Sequence, residues 1–193
     1  MPSFAFAPRE VTMSRATEIR LSGSGGQGLI LAGIILANAA VHEKRRVTQT
    51  QSYGPESRGG YSRADVLISD REIFFPEATQ FDILLALTQE ACDKYIFDLR
   101  EKGTLIVDTT SVKNISVMSE HVFEVPFTEI VSEKLGSPIT TNICSLAFLV
   151  KCTGIVKEES LAHAIRESVK PAFVDLNLKA MQLGFELAEN YRK

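Results

Sequence analysis

Polar and apolar positions alternate from Glu18 to Ser22 and then run into glycine, which predicts a strand feeding a loop. From Gly26 to Glu43 the period changes. Leu, Ile and Ala occupy nearly every side, as in a helix packed on a sheet. Val47–Ser52 reads as extended chain. "YGPESRGG", Tyr53–Gly60, carries three glycines and a proline and predicts a loop. Tyr61–Ser69 alternates again and predicts a strand. The apolar runs Phe81–Leu87 and Thr104–Asp108 suit buried strands. Between them Gln89–Arg100 reads as a helix stopped by Gly103, and His121–Pro126 as a last short strand.

Beyond Pro126 the texture is helical. Thr128–Leu135, Asn142–Cys152, Glu158–Val169 and Val174–Tyr191 are predicted helices, broken at Gly136 with Pro138, at Gly154 and at Pro171. Buried strands alternating with helices predict an α/β fold. It is a three-layer, mostly parallel Rossmann-like sheet with helices on both faces and a helical C-terminal part. Residues 1–16 are expected to be a disordered extension and 17–193 a single domain. The apolar segments Asn142–Cys152 and Val174–Leu187 predict an exposed apolar patch for a partner.

Composition narrows the function classes. The chain has 193 residues, with 21 Lys and Arg against 24 Asp and Glu, for a net charge of -3. That balance leaves no footprint for nucleic acid. The longest apolar run, Leu29–Val41, contains Asn38 and is too short for a membrane span. The N-terminus "MPSFAFAPREVT" lacks the basic and apolar regions of a signal peptide, and Met13 is an alternative start. Cys92, Cys144 and Cys152 have no CxxC spacing. They read as reduced, buried thiols of a cytoplasmic protein.

The candidate chemistry lies in two glycine-rich loops. Gly23-Ser24-Gly25-Gly26-Gln27-Gly28 matches the dinucleotide-binding pattern between a predicted strand and helix. There a helix N-terminus offers free N–H groups to a phosphate. The next strand ends "QTQS", with no carboxylate for a ribose hydroxyl, which argues against NAD or FAD. A phosphate-bearing ligand and a purely structural or interface turn both remain open. In the second loop, Tyr53, Gly54, Glu56, Arg58, Gly59 and Gly60 form a compact polar group, and Arg58 offers a planar fork for an anion. Elsewhere chemistry is scarce. His42, His121 and His163 are scattered, Asp108 suits a turn cap better than a site, and Ser22, Ser24 and Ser52 have no base in view. No catalytic residue and no metal ligand is assigned.

Together "GSGGQGLILAGIILANAA", "VTQTQSYGPESRGGYSRADVLIS" and "FDILLAL" resemble the gamma subunit of the 2-oxoacid:ferredoxin oxidoreductases. The likeness runs on through "VPFTEIVSEKLGSPITTNICSLAFLVKCTGIV" and "NLKAMQLGFELAE", and departs in the added N-terminal segment. The resemblance implies a non-catalytic gamma subunit of an anaerobic enzyme that oxidatively decarboxylates a 2-oxoacid. The products are an acyl-CoA and reduced ferredoxin, with 2-oxoglutarate favoured and pyruvate next. Thiamine diphosphate and iron–sulfur clusters would belong to alpha, beta and delta or ferredoxin-like partner subunits, and no catalysis is expected from this chain alone. Gly23, Gly25, Gly26, Gln27, Gly28, Tyr53, Gly54, Glu56, Arg58, Gly59 and Gly60 would lie together on the coenzyme A side. A homodimer of the isolated chain fits the same reading. The alternative is a free-standing Rossmann-type nucleotide-binding protein.

Overall fold

The computed structural model describes residues 15–52, 61–116 and 121–191. The predicted second loop, with Tyr53, Gly54, Glu56, Arg58, Gly59 and Gly60, lies outside the described residues. Arg15 and Ala16, expected in the extension, are described, and the Arg15 guanidinium pairs with the Asp82 carboxylate.

In chain order the elements are β1 (Thr17–Ser24), α1 (Leu29–His42), β2 (Arg46–Ser52), β3 (Tyr61–Ser69), β4 (Phe81–Ala86), α2 (Gln89–Tyr95), β5 (Leu99–Asp108) and β6 (His121–Val125). The helices α3 (Phe127–Leu135), α4 (Thr141–Thr153), α5 (Glu158–Ser168) and α6 (Pro171–Tyr191) follow. The sheet order is β2-β3-β1-β4-β5-β6. β1, β4, β5 and β6 pair in parallel. β3 is antiparallel to both its neighbours, β1 and β2. The sheet is therefore mixed, with β3 alone running against the common direction.

Alternation along the strands sorts the two faces. Ile19, Leu21, Val66, Ile68, Ile83, Leu85 and Ile106 join one deep core with α1 and α3–α6. Leu84, Ala86, Leu105 and Val107 face the other way onto Cys92, Tyr95 and Ile96, a thinner core under α2. On that thin side β1 and β3 carry a buried ion pair. The Arg20 Nε and Nη2 each donate to an Asp65 carboxylate oxygen at 2.6 Å. The guanidinium lies 4.0 Å from the Phe81 ring centre and 4.4 Å from that of Tyr95. Two charge-assisted bonds and two ring faces replace the water that this cation gives up.

Two sequence readings are corrected. The span Gln89–Arg100 is not one helix: α2 ends at Tyr95, a single 3-10 turn follows, and β5 has begun by Leu99. Gly103 lies inside that strand. Phe81 pairs with Leu99 while Ile83 already pairs with Thr104, so β5 bulges there, and glycine suits a bulge. The segment Asn142–Cys152 does not form an exposed patch. Every α4 residue from Thr141 to Val150 is buried. α4 is the central strut of the helical layer. α6 crosses it so closely that a Cβ on Gly184 would lie 2.2 Å from the Cys144 carbonyl oxygen. The large apolar side chains left exposed include Phe74, Phe75, Phe97, Ile139 and Phe173.

Candidate functional site

β1 and β4 are adjacent and parallel, yet β1 leads into α1 on the deep face and β4 into α2 on the thin face. A crevice opens at such a switch point, at the carboxyl ends of the strands, and ligands of open α/β sheets bind there. The turn Gly23–Gly28 lies at the carboxyl end of β1, between that strand and α1.

Three glycines of this turn, Gly23, Gly26 and Gly28, have distinct reasons. A Cβ on Gly23 would meet the Gln27 Oε1 at 2.2 Å and the Leu87 Cβ at 3.2 Å. That space is taken because Gln27 folds back over the turn, where its Oε1 accepts from the Ser24 N–H at 2.7 Å. Gln27 thus staples the turn in this conformation. Gly26 has φ +90 with nothing within 4 Å of its would-be Cβ, so it faces open space. Gly28, with φ +72, occupies the N-cap of α1. Positive φ at both positions excludes most side chains.

No side chain caps α1, and no acidic residue stands in its first turn. Its first N–H groups therefore keep their positive end for an outside acceptor. The Gly28 carbonyl accepts the first helical bond, from Ala32 N at 3.1 Å. It also accepts from the Asn142 Nδ2 at 2.9 Å. Asn142 is a residue that sequence reasoning misses, because its neighbours in the chain mark only the start of an apolar helix. An amide at the exposed-to-buried boundary of a helix start is the one signal that could have marked it.

The structure brings Gly23, Gly25, Gly26, Gln27 and Gly28 together in one turn. The strands flanking the second loop end beside it: Ser24 pairs with Tyr61, and Ser52 pairs with Arg63. Both anchor points of residues 53–60 thus sit at the same end of the sheet as the glycine turn. Arg63 is half-buried there, its guanidinium 5.9 Å from the Tyr95 ring centre.

The remaining candidates fall away from chemistry. Asp108 is fully buried and accepts from the Thr110 N–H at 3.0 Å and from the Thr128 N–H at 3.2 Å, so it caps the next turn and the start of α3. Ser22 donates to the Leu85 carbonyl at 2.9 Å. Burial, aided by the charge of Asp108, pushes the Cys144 thiol up to about 12, and burial with Asp93 pushes Cys92 up to about 11. Neither forms a thiolate near neutrality. Cys152, expected to be buried, is only half-buried. The scattered histidines are not all apart: the ring centres of His42 and His163 lie 4.3 Å apart, with the ring planes tilted by 39°. Among the described residues no three or more metal-ligating side chains cluster, and no helix is long and apolar enough to cross a membrane.

The sequence of the whole domain can be compared with known proteins. The family model described as pyruvate ferredoxin/flavodoxin oxidoreductase matches residues 18–187. The 2-oxoglutarate synthase subunit KorC of Methanocaldococcus jannaschii is 45% identical over 184 residues, covering 94% of this chain and 97% of that relative. The common gamma subunit of the pyruvate and ketoisovalerate oxidoreductases of Thermococcus kodakarensis is 34% identical, covering 87% of this chain and 95% of its own length. Among solved structures, the gamma subunit of a keto/oxoacid ferredoxin oxidoreductase from Geobacter sulfurreducens superposes with a TM-score of 0.83. It is 45% identical, over 91% of this chain and 97% of that one. The chain belongs to the pyruvate ferredoxin/flavodoxin oxidoreductase family.

Proposed function

We propose that this chain is the gamma-type subunit of a cytoplasmic 2-oxoglutarate:ferredoxin oxidoreductase, and that its glycine turn faces coenzyme A. The observation that carries the first part is the 45% identity with a 2-oxoglutarate synthase subunit over almost the full length of both chains. In such an enzyme the bond between the keto carbon of 2-oxoglutarate and its adjacent carboxylate breaks, and that carboxylate leaves as carbon dioxide. The remaining acyl group is transferred to the coenzyme A thiol, and the electrons released go to ferredoxin. Thiamine diphosphate and iron–sulfur clusters would be held by the alpha, beta and delta-type subunits, which are the partners of this chain.

The part left to this chain is binding. Coenzyme A carries its charge on phosphates. The uncapped α1 N-terminus, with Gly26 leaving space above it, supports a phosphate approaching the backbone N–H groups. The end of β2, Thr50-Gln51-Ser52, offers no carboxylate to a ribose hydroxyl, so a nicotinamide or flavin dinucleotide is the poorer fit.

The test is the enzyme assembled from this chain and its partner subunits, assayed on 2-oxoglutarate, pyruvate and 2-ketoisovalerate. The highest kcat/KM is expected for 2-oxoglutarate, and a preference for pyruvate overturns the substrate assignment. Gly26→Asp is compared with Gly26→Asn, two side chains of equal size that both tolerate positive φ. Only the first adds a negative charge. Asp is expected to raise the KM for coenzyme A about tenfold or more over Asn, the equivalent of ~1.4 kcal/mol. Equal values in the two variants overturn the coenzyme A role.

A further inference from the structure

We infer that Asn142 is a positioning residue that holds the glycine turn in its binding orientation by fixing the Gly28 carbonyl from the central helix α4. This rests on the coenzyme A reading above for its consequence, but its geometry stands apart from that reading.

The contact joins residues 114 positions apart in the chain, so no local preference explains it. The Asn142 carboxamide fills the space that a side chain on residue 28 would need. A Cβ on Gly28 would lie 2.5 Å from the Asn142 Nδ2. The Gly28 carbonyl therefore has two donors, Ala32 N along the helix and Asn142 Nδ2 from the side. The side donor sets the tilt of the peptide plane where the chain leaves its left-handed turn and enters α1. The Leu29 N–H, the first of α1, points from the opposite pole of that same peptide unit. Fixing the carbonyl fixes where that N–H aims.

Asn142 is itself held. It is 4% exposed, and the buried run of α4 follows it. The Ser145 hydroxyl donates to the Thr141 carbonyl at 2.8 Å, with the Asn142 carbonyl at 3.2 Å as a second, shared acceptor, tightening that first turn. α6 packs closely on the same helix at Gly184.

Stability does not account for the amide. The Asn142 Oδ1 is buried with no hydrogen-bond partner, as is the neighbouring Thr140 Oγ1. A buried acceptor left unmade is destabilising, and an apolar side chain of the same size would remove that penalty. Gly28 would still keep its bond from Ala32. An amide at this position thus works against the core while serving the turn.

Asn142→Leu in the assembled enzyme tests this, with Asn142→Ser as a smaller second variant should Leu disturb packing. The expected result has three parts. The melting temperature of the enzyme is unchanged or higher. Amide hydrogen exchange over residues 25–31 accelerates about fivefold or more, the scale of one lost hydrogen bond. The KM for coenzyme A rises about fivefold while kcat at saturating coenzyme A and the KM for the 2-oxoacid stay at wild-type values. Exchange that stays at the wild-type rate in both variants overturns the positioning role. A fall in kcat with all KM values unchanged, or loss of the subunit from the complex, assigns Asn142 to packing alone and also overturns it. If exchange accelerates while the Gly26 pair shows no difference, Asn142 still positions the turn and only the coenzyme A reading has failed.

Discussion

Ser24, the last residue of β1, pairs with Tyr61, the first residue of β3. The chain therefore returns to the sheet directly beside the glycine turn after passing through residues 53–60. Two segments far apart in local sequence character are anchored at one end of one sheet. The segment that carries Arg58 leaves the sheet after Ser52 and re-enters it at Tyr61.

Arg58→Ala in the assembled enzyme is expected to weaken either coenzyme A binding or retention of this subunit by about ten- to hundredfold. That is the scale of a hydrogen bond to a charged group, about 1.5–3 kcal/mol. The KM for coenzyme A and the subunit stoichiometry after gel filtration measure the two arms. Wild-type values in both would return Arg58 to the status of a solvated loop charge.

Asp65→Ala is expected to be among the most destabilising single changes in the thin core. It leaves the Arg20 guanidinium buried, at 4% side-chain exposure, with no counter-charge. Breaking one side of a buried pair costs about 3–5 kcal/mol. The double replacement Arg20→Met with Asp65→Leu should be milder than Asp65→Ala, because it removes both desolvated charges. Urea midpoints of the three proteins decide the order, and a double variant less stable than Asp65→Ala contradicts this account.

The thiols predict both a reactivity pattern and a pH dependence. At pH 8, Cys152 should react with a maleimide well before Cys92 and Cys144, read by mass spectrometry of the folded chain. In the folded state the Cys92 and Cys144 thiols stand at about 11 and about 12, against an ordinary 9.0. The folded protein therefore holds these protons where the unfolded chain has lost them. Their contribution to stability is complete below pH 9 and declines as pH rises through the folded values. Cys144→Ala should flatten the loss of stability between about pH 9 and 12. An unchanged slope would remove Cys144 as its source.

Gly184→Ala is expected to force α4 and α6 apart. The added Cβ meets the Cys144 carbonyl oxygen at 2.2 Å and the Phe148 backbone nitrogen at 3.0 Å, neither of which can rotate away. Overpacking of this kind costs about 1–3 kcal/mol. The same variant should speed exchange in the glycine turn, since α4 carries Asn142. Normal stability in the variant would show that the helices separate freely.

Much of this protein is local and could be read from its sequence. The alternation of β1, the glycine turn and the Leu, Ile and Ala face of α1 specify a strand–turn–helix unit, because each depends on neighbours a few residues away. The helical texture after Pro126 and its breakers are legible for the same reason, although Pro171 opens α6 as its first residue instead of ending a helix. Four features came only with the tertiary structure. The direction of β3 was hidden, since an alternating strand reads alike whichever way its neighbour runs. The burial of α4 was hidden, since an apolar helix facing a partner and one facing its own chain have the same composition. The clamp of Asn142 on Gly28 and the pairing of Arg20 with Asp65 join positions that only packing brings together. Sequence period reports which face of an element is apolar, whereas the partner of a buried polar group is chosen by whatever the folded chain sets against it.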